Sequence, residues 1–267
     1  LLRDNKNKLN TGFVGTPLLC NVLTEHGMTD LAYRLLLNEE YPGWLHEVKL
    51  GATTVWERWN SLDENGRISS TGMNSLNHYS YGAVLEWIFR HVAGIDVTEQ
   101  GPGGKMMRIS PKVDHKLGSA SAVYDSASGC YRCGWQIENG DQITVTVTVP
   151  FGAKAQVILP YAPDSVYHDT DNPLFETVEH GICCVKAGQY TVTYKAASPL
   201  KKSYSVDSTL EDLLAEPAIR AFLSNMMEVD MIPDLAYGLT LRQAAEAFAG
   251  GVSAEQAQRL NALLEEF

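Results

Sequence analysis

Three regimes of apolar spacing follow one another along the chain. Over residues 11–97 apolar positions recur at helical intervals. "TPLLCNVLTEHG" carries them three and four residues apart, with Pro17 near its start and Gly27 at its end, the usual order of helix signals. Thr29 and Asp30 are placed to cap a second helix, "LAYRLLLNEE", before Pro42 and Gly43 break the pattern. A third helix is expected within "SSTGMNSLNHYSYGAVLEWIFRHVAGI". There Met73, Leu76, Ala83, Val84, Trp87 and Ile88 form one stripe, and Tyr81, Leu85 and Phe89 fill the other side. A helix that is apolar nearly all round is a buried one, which makes Trp87 core, and Gly94 supplies the stop.

The glycine-rich stretch "EQGPGGKMM" then acts as a linker. It lacks the spacing and the Ser or Thr of a phosphate loop. From Arg108 the period changes to two. "DQITVTVTVPFGAKAQVILP" sets Ile143, Val145, Val147 and Val149 against Thr144, Thr146 and Thr148, and "AGQYTVTYKAA" repeats the alternation. Several short strands in about ninety residues indicate an antiparallel sandwich that closes its own core. Residues 201–267 turn helical again, with capping boxes expected at Ser208 with Glu211, Thr240 with Gln243 and Ser253 with Gln256. The expected organisation is therefore helices over 1–100, a β-sandwich over 101–200 and a small helical tail over 201–267.

Charge and composition narrow the function. The 267 residues carry a net charge of −11, which disfavours a nucleic-acid backbone as partner. Five Lys or Arg stand against eleven Asp or Glu in 201–267, so about half of the negative charge sits on that tail, whose bland reading is a solvated helical cap. No apolar run is long enough to span a membrane. The chain opens abruptly on "LLRDNKNKLNTGF", without Met or signal peptide, and is expected to be a piece of a longer one. Five cysteines is an odd number, and Cys183 and Cys184 are adjacent. Cys130 and Cys133 have C-x-x-C spacing with no second pair, in the strand-like context "SGCYRCGW", so no metal site or cofactor is expected. Mostly reduced thiols fit the cytoplasm.

The chemistry centres on "GATTVWERWN". Trp56 and Trp59 flank Glu57 and Arg58. The rings could line a pocket in which the carboxylate works on something flat and polar, such as a sugar, or they could fold inward from a surface turn. Arg58 either pairs with a local carboxylate or holds Glu57 charged. His78 on a buried helix is more often a satisfied core residue than a ligand. Asn77 could bond a helix end or a sugar hydroxyl.

The ordered series "TGFVGTPLL", "YPGW", "GATTVWERWN" and "SLNHYSYGAVLEWIFRHVAGI", followed by "GGKMMRISPKVD" and "VTVPFGAKAQVILP", resembles bacterial α-L-rhamnosidases, the inverting enzymes of glycoside hydrolase family seventy-eight, over residues 11–200. The resemblance implies the last helices of an (α/α)6 barrel over 1–100, then that family's C-terminal β-domain. It implies Glu57 as the general base in the Trp-Glu-x-Trp motif and His78 as a rhamnose contact. Trp44, Trp56 and Asn77 are expected around the sugar, and Trp59 could equally be packing. The family's general acid lies in an acidic motif with no equivalent here. The expectation is thus a fragment of an inverting hydrolase that releases terminal α-L-rhamnose, carrying the base but not the acid. Alone it should be inactive and should self-associate through uncovered barrel helices. Two alternatives stay open: a carbohydrate-binding or scaffold module, and part of another (α/α)6 glycosidase or lyase.

Overall fold

The computed structural model describes residues 8–63, 65–69, 72, 74–169, 171–248, 250–265 and 267. These fall into two compact units, Leu1–Leu200 and Lys201–Phe267. Unit 1 begins with α1 (Thr16–Glu25), α2 (Thr29–Leu36) and α3 (Trp44–Lys49). Helix α1 buries Thr16, Cys20, Leu23 and Thr24, one stripe at helical spacing, and stops at Gly27, whose φ of 78° is the left-handed conformation that glycine tolerates. Helix α2 starts at Thr29 itself, behind Met28, with no side-chain cap, so the expected Thr29 and Asp30 cap is not formed.

The third expected helix is shorter than its apolar pattern. A 3-10 turn at Ser80–Ala83 leads into α4 (Val84–Trp87), which continues as a π turn over Ile88–Val92. Leu76 and His78 lie before it, outside any helix, and Met73 lies outside the described residues. The cause is competition for the backbone: the tract at 75–78 gives its hydrogen bonds to residues 54–57 instead of to a helical turn. Nor is this helix buried all round. Trp87 is fully enclosed, donates from its indole nitrogen to Thr24 Oγ1 at 2.8 Å, and meets Tyr33 edge-on at 5.3 Å. Leu85, 57% exposed, and Phe89, 40% exposed, face away.

Strands β1 (Ile95–Val97), β2 (Met106–Ile109), β3 (Ser119–Ser126), β4 (Gly129–Glu138), β5 (Gln142–Val149), β6 (Lys154–Val157), β7 (Val178–Glu179), β8 (Ile182–Val185) and β9 (Gly188–Lys195) form two sheets. One has the order β3-β4-β5-β9 and is antiparallel throughout. The other, β1-β2-β6-β8-β7, is antiparallel except for the parallel pair β2 and β6. The chain visits the first sheet between these two strands, which provides the long crossover that a parallel pair requires. Ile143, Val145, Val147 and Val149 all point inward from β5, and burying each stabilises by about 1.5–3 kcal/mol. Tyr131 ties the two sheets together, its hydroxyl donating to the Gly104 carbonyl at 2.8 Å and lying 3.0 Å from the Lys154 carbonyl.

The expectation that the strands close a core of their own needs correction. One buried cluster runs from Leu23, Tyr33 and Trp87 into Met107, Trp135 and Val157. Trp135 donates from Nε1 to the Val92 carbonyl at 2.7 Å, and the Tyr33 hydroxyl donates to the Lys112 carbonyl. Gly94, with φ 82°, lets the chain turn where a Cβ would sit 2.2 Å from the Pro111 nitrogen. The helices and the sheets are therefore packed as one body, because Trp135 of the sheets finds its acceptor at Val92 beside the helices and Tyr33 of the helices finds its acceptor at Lys112 beside the sheets.

Unit 2 comprises α5 (Leu210–Ala215), α6 (Pro217–Ser224), α7 (Leu241–Phe248) and α8 (Ala254–Leu264) around Leu213, Ile219, Leu223 and Leu264. The boxes at Thr240 with Gln243 and at Ser253 with Gln256 form. The box at Ser208 does not. Thr209 takes its place and accepts from Asp212 N–H at 3.2 Å, because Leu210 rather than Thr209 turns inward to begin the helix.

Candidate active site

The Trp-Glu-Arg-Trp segment lies between α3 and the 3-10 turn, without regular structure of its own. Backbone pairing with residues 75–78 gives it shape. Glu57 N–H donates to the Ser75 carbonyl at 2.9 Å, and His78 N–H donates to the Val55 carbonyl at 2.8 Å. Ser75 N–H donates in return to Glu57 Oε2 at 2.7 Å. One oxygen of this half-buried carboxylate is thereby fixed by a charge-assisted bond. Beside it, Ser61 is buried and donates to Asn74 Oδ1 at 2.6 Å, while Asn74 returns a bond to the Ser61 carbonyl at 2.9 Å. This knot closes the loop and brings Glu57 and His78, distant in sequence, onto paired tracts.

Aromatic rings pack around the knot. Trp59 stacks on Tyr81 with centroids 3.8 Å apart and planes 5° apart. Trp44, half-buried, meets Trp59 edge-on at 5.4 Å and donates to the Tyr81 carbonyl at 3.0 Å. Trp56 is only 2% exposed, so its ring packs in the interior instead of offering a face. Asn77 is exposed and tied by its backbone to Ser75 Oγ at 3.1 Å. His78 is half-buried and flanked by Phe13 and Tyr79. Arg58 has no ion pair among the described residues; its charge acts instead on the buried Tyr81 phenol, whose pKa is raised chiefly by burial and then by Glu47 and Tyr41, with Arg58 opposing. A cleft of about 380 Å³ opens beside Thr11, Tyr41 and Trp59.

One acidic residue escaped the sequence reading. Glu47 is 4% exposed, within a helix whose sequence, "WLHEVK", marks no inward position for it. Its carboxyl accepts the Trp56 backbone N–H, and burial pushes its pKa up to about 8 against that bond. Oε1 has no hydrogen-bond partner among the described residues. A carboxyl in such surroundings is held neutral through much of the physiological range.

The described residues contain no cluster of three or more His, Cys, Asp or Glu that could hold a metal ion. Cys130 and Cys133 point to opposite sides of β4, and every cysteine is a free thiol. Burial pushes the Cys133 thiol up to about 12. No helix among the described residues is long and apolar enough to cross a membrane.

Two family models match in succession: the six-hairpin glycosidase domain of bacterial α-L-rhamnosidases over residues 1–92, and the C-terminal domain of the same enzymes over residues 94–172. An α-L-rhamnosidase from Alteromonas sp. (strain LOR) is 41% identical over 192 residues, covering 71% of this chain and 20% of its own length. Another, from Formosa agariphila, is 43% identical over 159 residues, covering 60% of this chain and 17% of its own. The crystal structure of Streptomyces avermitilis α-L-rhamnosidase complexed with L-rhamnose superposes with a TM-score of 0.64 at 35% identity, over 73% of this chain and 19% of that one. The chain thus spans about a fifth of the length of these relatives. Its helices and its paired sheets follow one another in the order of those two domains, and the chain belongs to the bacterial α-L-rhamnosidase family.

Proposed function

We propose that these residues form the base-bearing side of an inverting α-L-rhamnosidase, the last part of an (α/α)6 barrel followed by its β-domain. Glu57 is the general base. In an inverting hydrolase one carboxylate deprotonates a water on the face of the sugar opposite the leaving group, while a second carboxyl, well separated from it, protonates the departing oxygen. The observation that carries the reading is the pairing of the two tracts: Ser75 N–H anchors Glu57 Oε2 while the neighbouring Val55 carbonyl holds His78 in place. A base needs to be held ready for a water but not used up. Glu57 has one oxygen committed at 2.7 Å, which leaves the other for the water. His78 contacts the sugar, Trp44 and Asn77 complete the surround, and Trp56 supports Glu57 from the interior.

In this reading the proton donor belongs to a part of the protein outside these 267 residues, and the exposed face at Leu85 and Phe89 packs against further barrel helices. The 267-residue chain alone is inactive, and self-association covers that face. The substrates are glycosides ending in α-L-rhamnose. The relative solved with L-rhamnose supports that choice.

The test is Glu57→Gln in the full-length protein, assayed on an aryl α-L-rhamnoside. Loss of a positioned general base lowers kcat by about 10²–10⁴-fold, azide restores part of it by replacing the activated water, and the melting temperature holds. Near-normal turnover by this variant rejects Glu57 as the base. Activity of the parent on an aryl glucoside or uronide, with none on the rhamnoside, rejects the substrate class.

A further inference from the structure

His78 is half-buried and held from several sides. Its Nδ1 accepts the Ser80 backbone N–H at 3.2 Å. Ser80 is buried and opens the 3-10 turn, so this donor is rigid. A neutral imidazole that accepts at Nδ1 must carry its proton at Nε2, and Nε2 has no partner among the described residues. Two rings flank the imidazole in nearly parallel planes: Phe13 with centroids 4.9 Å away and planes at 17°, and Tyr79 at 5.1 Å and 13°. Neither is core. Phe13 is 44% exposed and Tyr79 86% exposed, so burial does not account for their placement. Phe13 also leans edge-on against Tyr81 at 6.0 Å, which ties it to the stacked Trp59 and Tyr81 pair.

We propose that Phe13 and Tyr79 are positioning residues: with the Ser80 N–H they hold the His78 ring so that Nε2–H is aimed at an acceptor oxygen of the bound sugar. The proposal rests on the reading of His78 as a sugar contact and adds the means by which it is oriented. Stacking fixes the plane of the ring, and the Ser80 bond fixes its rotation within that plane. Together they leave one direction for the donor. A donor aimed in advance strengthens binding by sparing the ordering of the side chain. The clamp therefore acts on affinity, and the proton transfer at Glu57 is unaffected by it.

Steady-state kinetics of the full-length protein on an aryl α-L-rhamnoside tests this. Phe13→Ala raises KM by roughly three- to tenfold, the worth of one ordinary hydrogen bond, with kcat within about twofold and the melting temperature unmoved. Phe13→Tyr, which keeps the ring, restores KM. Phe13→Leu, which keeps the bulk, does not. Tyr79→Ala behaves as Phe13→Ala does. In a His78→Ala background Phe13→Ala adds nothing, because residues acting through one another are not additive. An unchanged KM in Phe13→Ala, full rescue by Leu, or the same penalty with and without His78 overturns the clamp while leaving the sugar contact standing. If His78→Ala itself leaves KM and kcat unchanged, the sugar contact falls and the clamp's role falls with it, whatever Glu57→Gln shows.

Discussion

The strands at 95–195 and the helices at 8–92 solve the same problem with different completeness. In β5 every inward residue, Ile143 through Val149, finds its partners within the chain. In α1 and α4 one apolar face does so, while Leu18, Val22, Leu85 and Phe89 remain exposed. Alternation with period two has one buried face and one wet face, so a cover on one side is enough to complete it. A helix that is apolar nearly all round needs neighbours on more than one side. The contrast teaches that the inward face of β5 is fully covered within the chain, while the helical half leaves an apolar face exposed.

Truncating the shared core is the most severe way to break this contrast. Trp87→Ala should destabilise unit 1 by about 3–5 kcal/mol, since it removes the ring under Tyr33 and the donor to Thr24. Calorimetry should show one lowered transition for helices and strands together. Two transitions, with the strands unmoved, would mean that the sheets stand alone after all. Val145→Ala, a smaller cavity within the sandwich, should cost about 1–3 kcal/mol and lower the same transition by urea titration.

Glu47 sharpens the comparison from the electrostatic side. Its folded pKa of about 8 lies above the ordinary 4.5. Between those values the unfolded chain has released a proton that the folded chain retains, so this group lowers stability as pH rises from about 4.5 to 8. Glu47→Gln should remove that slope and stabilise the protein at pH 8 by on the order of a few kcal/mol, as thermal melts at pH 5 and pH 8 would show. Equal shifts at both pH values would reject a neutral Glu47.

Changes on the open helical face should be the mildest. Leu85→Ser and Phe89→Ser should alter stability of the 267-residue chain by no more than about 0.5 kcal/mol, while light scattering reports less self-association. A large loss of stability would show that this face is already covered within the chain.

Legibility in the sequence followed the same divide. The β5 pattern and two of the three tail boxes could be read directly, because each depends on neighbours a few residues away. The Trp-Glu-Arg-Trp segment could be singled out for its chemistry, but not its shape. That shape comes from Ser75, Asn74 and Ser61, which act across the loop and carry no periodic signal. The same pairing displaced His78 from the helix that its apolar neighbours implied. Glu47 was invisible because a charged residue in a short polar-looking helix signals solvent, and the Trp56 backbone N–H that its carboxyl accepts lies across the loop and leaves no periodic signal.

The junction at Gly94 bears on recombination. The two family models meet there, one ending at residue 92 and the other beginning at 94, which makes it the obvious crossover for swapping β-domains between relatives. Yet a Cβ at Gly94 would lie 2.2 Å from the Pro111 nitrogen, and the Val92 carbonyl is claimed by Trp135. A chimaera cut at this seam inherits half of each contact from either parent. Hybrids should fold only when the donor of residues 94–172 also matches the recipient at Tyr33, Trp87 and Val92, so the useful unit of exchange is larger than either domain.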